Sequence, residues 1–235
     1  MIKQVSKYIS LFVSLLIVVL VLSGCSASKF IPEGKFLLDD AEIKSDVKDV
    51  NPDRLKAYIR QKGNSKWFSL FKIPLGTYAL SGKDSTKWIN KKLRDLGEDP
   101  VLFDSLQTAM TCSDLENVLH GLGYLRATVD YNLDFKKKKK VVVVYNLHPG
   151  PLYHISSVSY DIQDDKIAEF LNTGEEGGFK PGLRVGMPFL TNELDNERKA
   201  LTKYLNNNGY YKFHKDFITY SADSVRGSTD VDLTL

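Results

Sequence analysis

Two junctions of the same kind, set 86 positions apart, constrain this chain more than any other feature of it. At Gly123-Tyr124 an amphipathic run ends and "LRATVDYNLDF" (Leu125–Phe135) begins, with every odd position apolar and every even one polar. That is the period-2 pattern of a strand with one wet face and one buried face. At Gly209-Tyr210 a second amphipathic run ends, and a second Tyr/Phe-rich segment, Tyr211–Tyr220, follows. A junction used twice points to one structural unit used twice.

The rest of the pattern fills in each unit. Phe36–Ile43 reads as an opening strand. Asn51-Pro52 reads as N-cap and N1 proline of a helix with Leu55, Tyr58 and Ile59 on one face. Gly63–Leu80 is aromatic and broken by Gly and Pro, an ordered insertion. Asp84–Leu96 predicts a helix whose apolar side is Trp88, Ile89, Leu93 and Leu96, with Gly97 at C′. Ser113-Asp114-Leu115-Glu116 matches the S-x-x-E capping box and predicts a helix burying Leu115, Val118, Leu119 and Leu122. After the alternating strand, Lys136–Lys140 leads into "VVVVYNL", an almost continuous apolar strand suited to burial on both faces. The two strands form a hairpin with the lysines at its tip.

"HPGP" (His148–Pro151) marks a boundary, since it cannot continue a central strand. The order then restarts. Tyr153–Ile162 reads as a strand, and a short helix carries Ile167, Phe170 and Leu171. After a Gly-rich loop (Asn172–Gly182), Thr191 caps a helix with Leu194, Leu201, Tyr204 and Leu205 inward. Val231, Leu233 and Leu235 close the unit. The apolar parity of the second Tyr/Phe strand slips between Phe217 and Ile218, the sign of a bulge or two-sided burial. Each half therefore reads strand, helix, helix, strand, strand, an α+β architecture of small sheets covered by helices. The expected division is residues 35–150 for the first unit, with an insertion around 63–100, and 151–235 for the second.

The N-terminus carries an address. Lys3 and Lys7 precede an apolar run from Ser10 to Leu22, 13 residues long, which is short of the roughly 20 a spanning helix needs. A positive start, a short apolar core and small residues at the end describe a secretory signal peptide. Leu22-Ser23-Gly24-Cys25 resembles the lipobox of bacterial lipoproteins. That resemblance implies removal of residues 1–24, a lipid on Cys25, and a short tether over residues 25–34. With Cys25 lipidated, Cys112 stands alone and no internal disulfide forms. Cys112 sits near the expected helix start and reads as a small structural cysteine.

Composition excludes several functions. A net charge of +3, evenly spread, offers no nucleic-acid footprint. Ser81–Asp84 ("SGKD") has neither the glycine spacing nor the Ser/Thr of a phosphate loop. His120, His148, His154 and His214 form no i, i+4 ligand pair, so no metal site is expected. No catalytic constellation and no cofactor beyond the covalent lipid is indicated.

The order of elements, with the Gly123-Tyr124 and Gly209-Tyr210 junctions, resembles tandem POTRA domains of the BamA/TamA outer-membrane assembly superfamily. "CSASKFIPEGKFLL", "YIRQKGN" (Tyr58–Asn64), "GEDPV" (Gly97–Val101) and "LDNERKALTKYLNNNGYYKF" (Leu194–Phe213) are similar to its Bacteroidetes-type lipoprotein members. Gly63 departs from that pattern, which has a proline there. Relatives of this kind continue into a further module or a transmembrane β-barrel, and no barrel-forming series of strands is present in these 235 residues. The resemblance implies an outer-membrane, periplasm-facing lipoprotein with three kinds of partner. They are a β-barrel, an inner-membrane or periplasmic assembly partner, and unfolded outer-membrane clients. A free-standing structural adaptor is the alternative, with a ligand-binding or hydrolytic lipoprotein using the Gly174–Gly182 loop behind it.

A three-stranded sheet has exposed edges able to accept an extended segment from another chain. The expected partner-binding edge comprises Leu125, Ala127, Thr128, Val129, Asp130 and Tyr131, with Phe213 and Phe217 in the second copy. A proline at solvent-facing Thr128 or Asp130 is the expected test. Lys136, Lys137, Lys138, Lys139 and Lys140 form a basic tip that either discourages edge pairing or contacts anionic headgroups.

Overall fold

The structure is a computed structural model that describes residues 27–68, 71–172, 178–225 and 227–235. The residues read as a signal peptide and lipobox, Cys25 among them, lie outside the described residues, as do Gly174, Glu175 and Glu176 of the Gly-rich loop.

A 3₁₀ turn, Ala27–Phe30, precedes β1 (Leu37–Ser45). Helices α1 (Pro52–Leu55), α2 (Ile73–Leu80), α3 (Trp88–Leu96) and α4 (Ser105–Gly121) separate it from the hairpin β2 (Thr128–Lys136) and β3 (Lys140–His148). Then come β4 (His154–Ser159), α5 (Asp165–Asn172), α6 (Thr191–Asn207), a 3₁₀ turn at Lys215–Phe217, β5 (Ser221–Asp223) and β6 (Asp230–Thr234). The chain is α+β with two three-stranded sheets. Their orders, β1-β3-β2 and β4-β6-β5, are the same: in each the third strand is central and the second lies at an edge. By contacts the described residues divide into one unit made of those up to Lys44, Asn51–Ser113 and Asp130–Asn146, and another made of Ser45–Val50, Asp114–Val129 and those from Leu147 to Leu235.

β3 is central because its side chains suit nothing else. Val141, Val142, Val143, Tyr145 and Leu147 are all buried, as the continuous apolar run requires. β2 keeps the alternation read from sequence: Val129 is buried, Tyr131 and Leu133 half-buried, and Thr128, Asp130, Asn132 and Asp134 exposed. β1 runs parallel to β3, with the Leu37 N–H donating to the Lys139 carbonyl and the Asp46 N–H to that of Leu147. Those bonds span nine positions on β1 and eight on β3, so β1 carries one extra residue, a bulge. β4 pairs with β6 in parallel, and β5 with β6 antiparallel.

The repeated junction is repeated down to its hydrogen bonds. The Tyr124 N–H reaches back to the Leu119 carbonyl and the Tyr210 N–H to that of Leu205, both at 3.0 Å. Gly123 (φ +90°) and Gly209 (φ +101°) make the left-handed step at C′ that permits these bonds. The next turn repeats too, Ala127 N–H to Tyr124 carbonyl and Phe213 N–H to Tyr210 carbonyl, both at 2.9 Å.

Beyond that point the copies diverge. The expected strand Tyr211–Tyr220 is a turn and a 3₁₀ helix, and only Ser221–Asp223 joins the sheet. Arg198 of α6 explains the difference, since its Nε and Nη2 donate to the Lys215 carbonyl at 3.1 and 2.8 Å. A backbone carbonyl bound by a helix side chain is not available to a sheet. Phe213 and Phe217 are therefore not on a strand. Leu125 and Ala127 are not either, because β2 begins at Thr128.

Other helix boundaries are corrected by partners far along the chain. The insertion contains α2, with Pro74 in its first turn and Leu75, Gly76 and Ala79 buried. Ser113 lies inside α4, not at its start, and Cys112 is likewise mid-helix and buried. Asp104 accepts from the Leu106 and Gln107 N–H groups at that start instead. Thr191 is the first residue of α6, with Leu190 as N-cap. Leu122 and Tyr58 are exposed, and the helix after Asn51 shortens to one turn followed by a 3₁₀ turn at Lys56–Tyr58. Gly97 does end α3, but with φ −91°, outside the left-handed region. It is glycine because a Cβ there would lie 2.5 Å from the Tyr78 nitrogen. Most unexpectedly, Trp88, Ile89 and Leu96 of α3 are exposed.

Candidate partner-binding edges

β1 is covered over only part of its outer edge. Leu38 N–H donates to the Val101 carbonyl and Phe103 N–H to that of Phe36, each at 2.8 Å. The segment that supplies this cover is held by two amide side chains. Gln61 donates to the Leu102 carbonyl at 2.7 Å and accepts from the Asp104 N–H at 3.1 Å. Buried Asn64 donates to the Asp99 carbonyl at 2.7 Å and accepts from the Val101 N–H at 3.1 Å. "YIRQKGN" and "GEDPV" are thus one clasp closed by side chains that imitate backbone. Gly63 lies within it, where a Cβ would be 2.6 Å from the Asp39 carbonyl oxygen, so no proline ring fits.

Past the clasp the edge of β1 opens into a groove of about 760 Å³, lined by Asp40, Glu42 and Lys44 of the strand and by Ile59, Lys62 and Lys66 opposite. Lys66 pairs with Asp40 at 2.5 Å. At the near end Asp39 takes Lys72 at 2.9 Å and Lys140 at 3.0 Å. Burial pushes the Asp39 carboxyl up, but hydrogen bonds and charge from those two lysines outweigh it and hold the group below the usual carboxylate range. Sequence reasoning missed this groove, because nothing local marks where a clasp from forty residues away stops covering a strand.

β2 lies at the other edge of the same sheet. The Val129 N–H donates to Glu116 Oε1 at 2.9 Å, so this amide points away from β3. Amides of a strand alternate between its two edges while side chains alternate between its two faces. The amides of Tyr131, Leu133 and Phe135 therefore point outward with that of Val129, and those of Thr128 and Asp130 point to β3. A proline at Thr128 or Asp130 would break the sheet instead of blocking the edge. Glu116 caps the start of this edge, and Asn146 donates to Asp130 at 2.6 Å across the hairpin.

Lys137–Lys139 form the hairpin turn, with Lys138 and Lys139 at φ +63° and +56°. Lys136 ends β2 beside Asp134, whose hydrogen bond raises the lysine's pKa. Lys140 is drawn to Asp39, so the exposed charge is concentrated at the turn itself.

In the second unit Phe213 and Phe217 meet edge to face, 5.6 Å between centroids. They border a cavity of about 270 Å³ lined by Ile167 and Leu171 of α5 and Leu201 and Leu205 of α6, with Asp161, Gln163 and Asp164 adding polar groups. Glu197 is buried nearby, accepting from the Tyr160 hydroxyl at 3.1 Å and the Gly182 N–H at 2.7 Å. Burial, reinforced by Glu197, pushes the Tyr160 hydroxyl well above its ordinary range. Among the described residues no group of three His, Cys, Asp or Glu side chains is placed to hold a metal. The "SGKD" amide of Gly82 is occupied by Asn90 Oδ1 at 2.8 Å.

No protein-family model and no curated protein sequence matches the chain. Solved structures resemble it at low identity. BamA from Haemophilus ducreyi lacking POTRA domains 1–3 is 13% identical with a TM-score of 0.40, over 85% of this chain and 28% of that one. POTRA domains 1–2 of the periplasmic domain of Omp85 from Anabaena are 12% identical with a TM-score of 0.35, over 86% of this chain and 96% of that one. CdiB from Escherichia coli is 7% identical with a TM-score of 0.30, over 98% of this chain and 34% of that one. The chain thus spans about a third or less of the BamA and CdiB structures it resembles. No helix among the described residues is long and apolar enough to cross a membrane.

Proposed function

We propose that this chain is a lipid-anchored, periplasm-facing pair of POTRA-like modules serving an outer-membrane protein assembly or translocation apparatus. It works by pairing extended segments of partner or client chains along its sheet edges, and it is not an enzyme. The observation that carries this reading is the shared strand order of the two sheets, each with its third strand central. The identical Gly-Tyr hydrogen bonding 86 residues apart supports it. In the first sheet that order leaves the outward amides of Tyr131, Leu133 and Phe135 at an edge, and pairing through amides needs no particular side chain in the client. The lipobox at Leu22–Cys25 supports the membrane address.

The test is binding of extended peptides taken from β-barrel proteins, measured by fluorescence anisotropy on the purified protein. Leu133→Pro removes one outward donor and is expected to weaken binding about tenfold while the protein still melts cooperatively. If Leu133→Pro binds as the parent does and Lys62→Trp, which fills the β1 groove, abolishes binding, the β1 edge is the site. If neither variant changes binding, or no peptide binds, edge pairing is wrong and a structural adaptor takes its place.

A further inference from the structure

α3 is built the wrong way round for a helix that belongs to a core. Its apolar residues Trp88, Ile89 and Leu96 are 68%, 53% and 76% exposed, and none of its nine residues is buried. Its polar side is what holds it. Asn90 donates to the Asp84 carbonyl at 2.7 Å and accepts from the Gly82 N–H at 2.8 Å. Arg94 donates to the Gly82 carbonyl at 2.9 Å and to Ser81 Oγ at 3.3 Å, with its guanidinium 5.4 Å from the Phe30 ring and 5.6 Å from that of Tyr78. At 100° per residue Trp88, Leu96, Ile89 and Leu93 share one stripe, and Asn90 and Arg94 lie on the opposite side. An amphipathic helix fixed by its polar face holds its apolar face out for something else.

Two further facts point to the occupant. Exposed Lys92 lies within the stripe, its Nζ 5.6 Å from the Trp88 ring, and exposed Lys91 is on the same helix, with exposed Lys83 and Lys87 just before it; against these four cations α3 sets one exposed carboxylate, Asp95. Indole, aliphatic and lysine side chains with a net positive charge are the composition of a helix lying in a bilayer interface. The second fact is position. Ala27 and Ile31 are buried with Leu75 and Ala79 of α2, and Lys29 donates to the Ser81 carbonyl at 2.8 Å. One residue separates Cys25 from Ala27 in the sequence, at most about 7 Å of extended chain. Phe30, which Arg94 covers, belongs to the same 3₁₀ turn as Ala27.

From this we infer that α3 is a second membrane contact, a helix that lies on an anionic bilayer surface with Trp88, Ile89 and Leu96 at the headgroup–acyl boundary. The inference rests on the reading of Cys25 as the lipid-bearing residue. Acyl chains on one cysteine attach a protein at a single point and leave it free to pivot. α3, held beside the first folded turn after Cys25, supplies a second point of contact and orients the first unit on the membrane.

The experiment uses the mature protein purified from membranes and returned to vesicles of phosphatidylethanolamine and phosphatidylglycerol. Trp67→Phe leaves Trp88 as the single indole of a chain with two. Metabolic labelling with an alkyne fatty acid reports separately on Cys25. In labelled protein, Trp88 emission is expected to shift to the blue and to be quenched about twofold by acyl-brominated lipids. Ile89→Ser with Leu96→Ser, or vesicles of phosphatidylcholine alone, is expected to reduce that quenching. Solvent-like, unquenched Trp88 emission in labelled, vesicle-bound protein overturns the inference and leaves the lipid anchor standing. Trp88 shielded from iodide yet unquenched by brominated lipid assigns the face to a protein partner and also overturns it. Unlabelled protein refutes the anchor instead. Bromine quenching in that protein would still uphold the helix contact, and its absence would remove both.

Discussion

Gly123 and Gly209 occupy the same backbone conformation in two different surroundings, which separates the cost of the conformation from the cost of space. A Cβ at Gly209 meets nothing within 4 Å, whereas one at Gly123 lies 2.9 Å from the Phe189 carbonyl oxygen and 3.0 Å from Leu152 Cδ1. Gly209→Ala is expected to cost about 1–2 kcal/mol, the penalty of a left-handed alanine. Gly123→Ala should cost more, and denaturant titration of both variants checks the order. Asp39 makes a pH prediction. Its folded-state pKa is depressed, so its contribution is fully present above the unfolded value near ~4 and is lost as pH falls through the folded one. Between pH 7 and pH 3 the melting temperature of the parent should therefore fall more steeply than that of Asp39→Asn, whose pairing with Lys72 and Lys140 is already weakened. Parallel slopes would mean those lysines do not stabilise the carboxylate.

At the scale of the element, the hairpin shows why the direction of a side chain and the direction of an amide must be argued separately. Thr128 and Asp130 face solvent by their side chains, yet their amides belong to the ladder with β3. Asp130→Pro should therefore unfold the first sheet, and Leu133→Pro should leave it folded. Circular dichroism melts of the two variants read this directly, and equal stability would refute the assignment of the outward amides. The helices teach a related lesson. The 3.6-residue stripe of α3 was legible, but the side of the stripe that meets protein was not. Hydrophobicity says which residues avoid water, and Asn90 and Arg94 reached partners no periodicity reveals. The Ser113 capping box failed because a helix start is decided by which side chain reaches the first amides. Asp104 does so nine residues earlier. Glu116, the box's acidic member, serves a strand amide instead.

For the molecule as a whole, the Cys25 reading predicts that Cys25→Ser abolishes fatty-acid labelling and leaves an unprocessed form that migrates more slowly. Gel mobility and label incorporation in cell membranes test both. An unchanged label would place the lipid elsewhere and detach the membrane contact of α3 from its premise. An antibody against residues 26–235 on boiled and unboiled outer membranes asks a separate question. A much larger, heat-modifiable band would identify a chain that continues into a folded barrel, and a heat-insensitive band somewhat below the 26.5 kDa of the unprocessed 235 residues would favour the adaptor.

The α+β class, the central Val-rich strand, the lysine-tipped hairpin and the twofold use of the Gly-Tyr junction follow from local pattern alone. Each rests on periodicity or on a backbone step that glycine makes cheaply, and both act within a few residues. The tertiary structure decided everything that depends on distant partners. The Gln61–Asn64 clasp leaves half of β1 uncovered, Arg198 draws the second Tyr/Phe segment out of its sheet, and α3 turns its apolar face to solvent. In each case a polar side chain satisfies a backbone group or ring remote in sequence. The energy of such a bond depends on geometry that only the folded chain supplies.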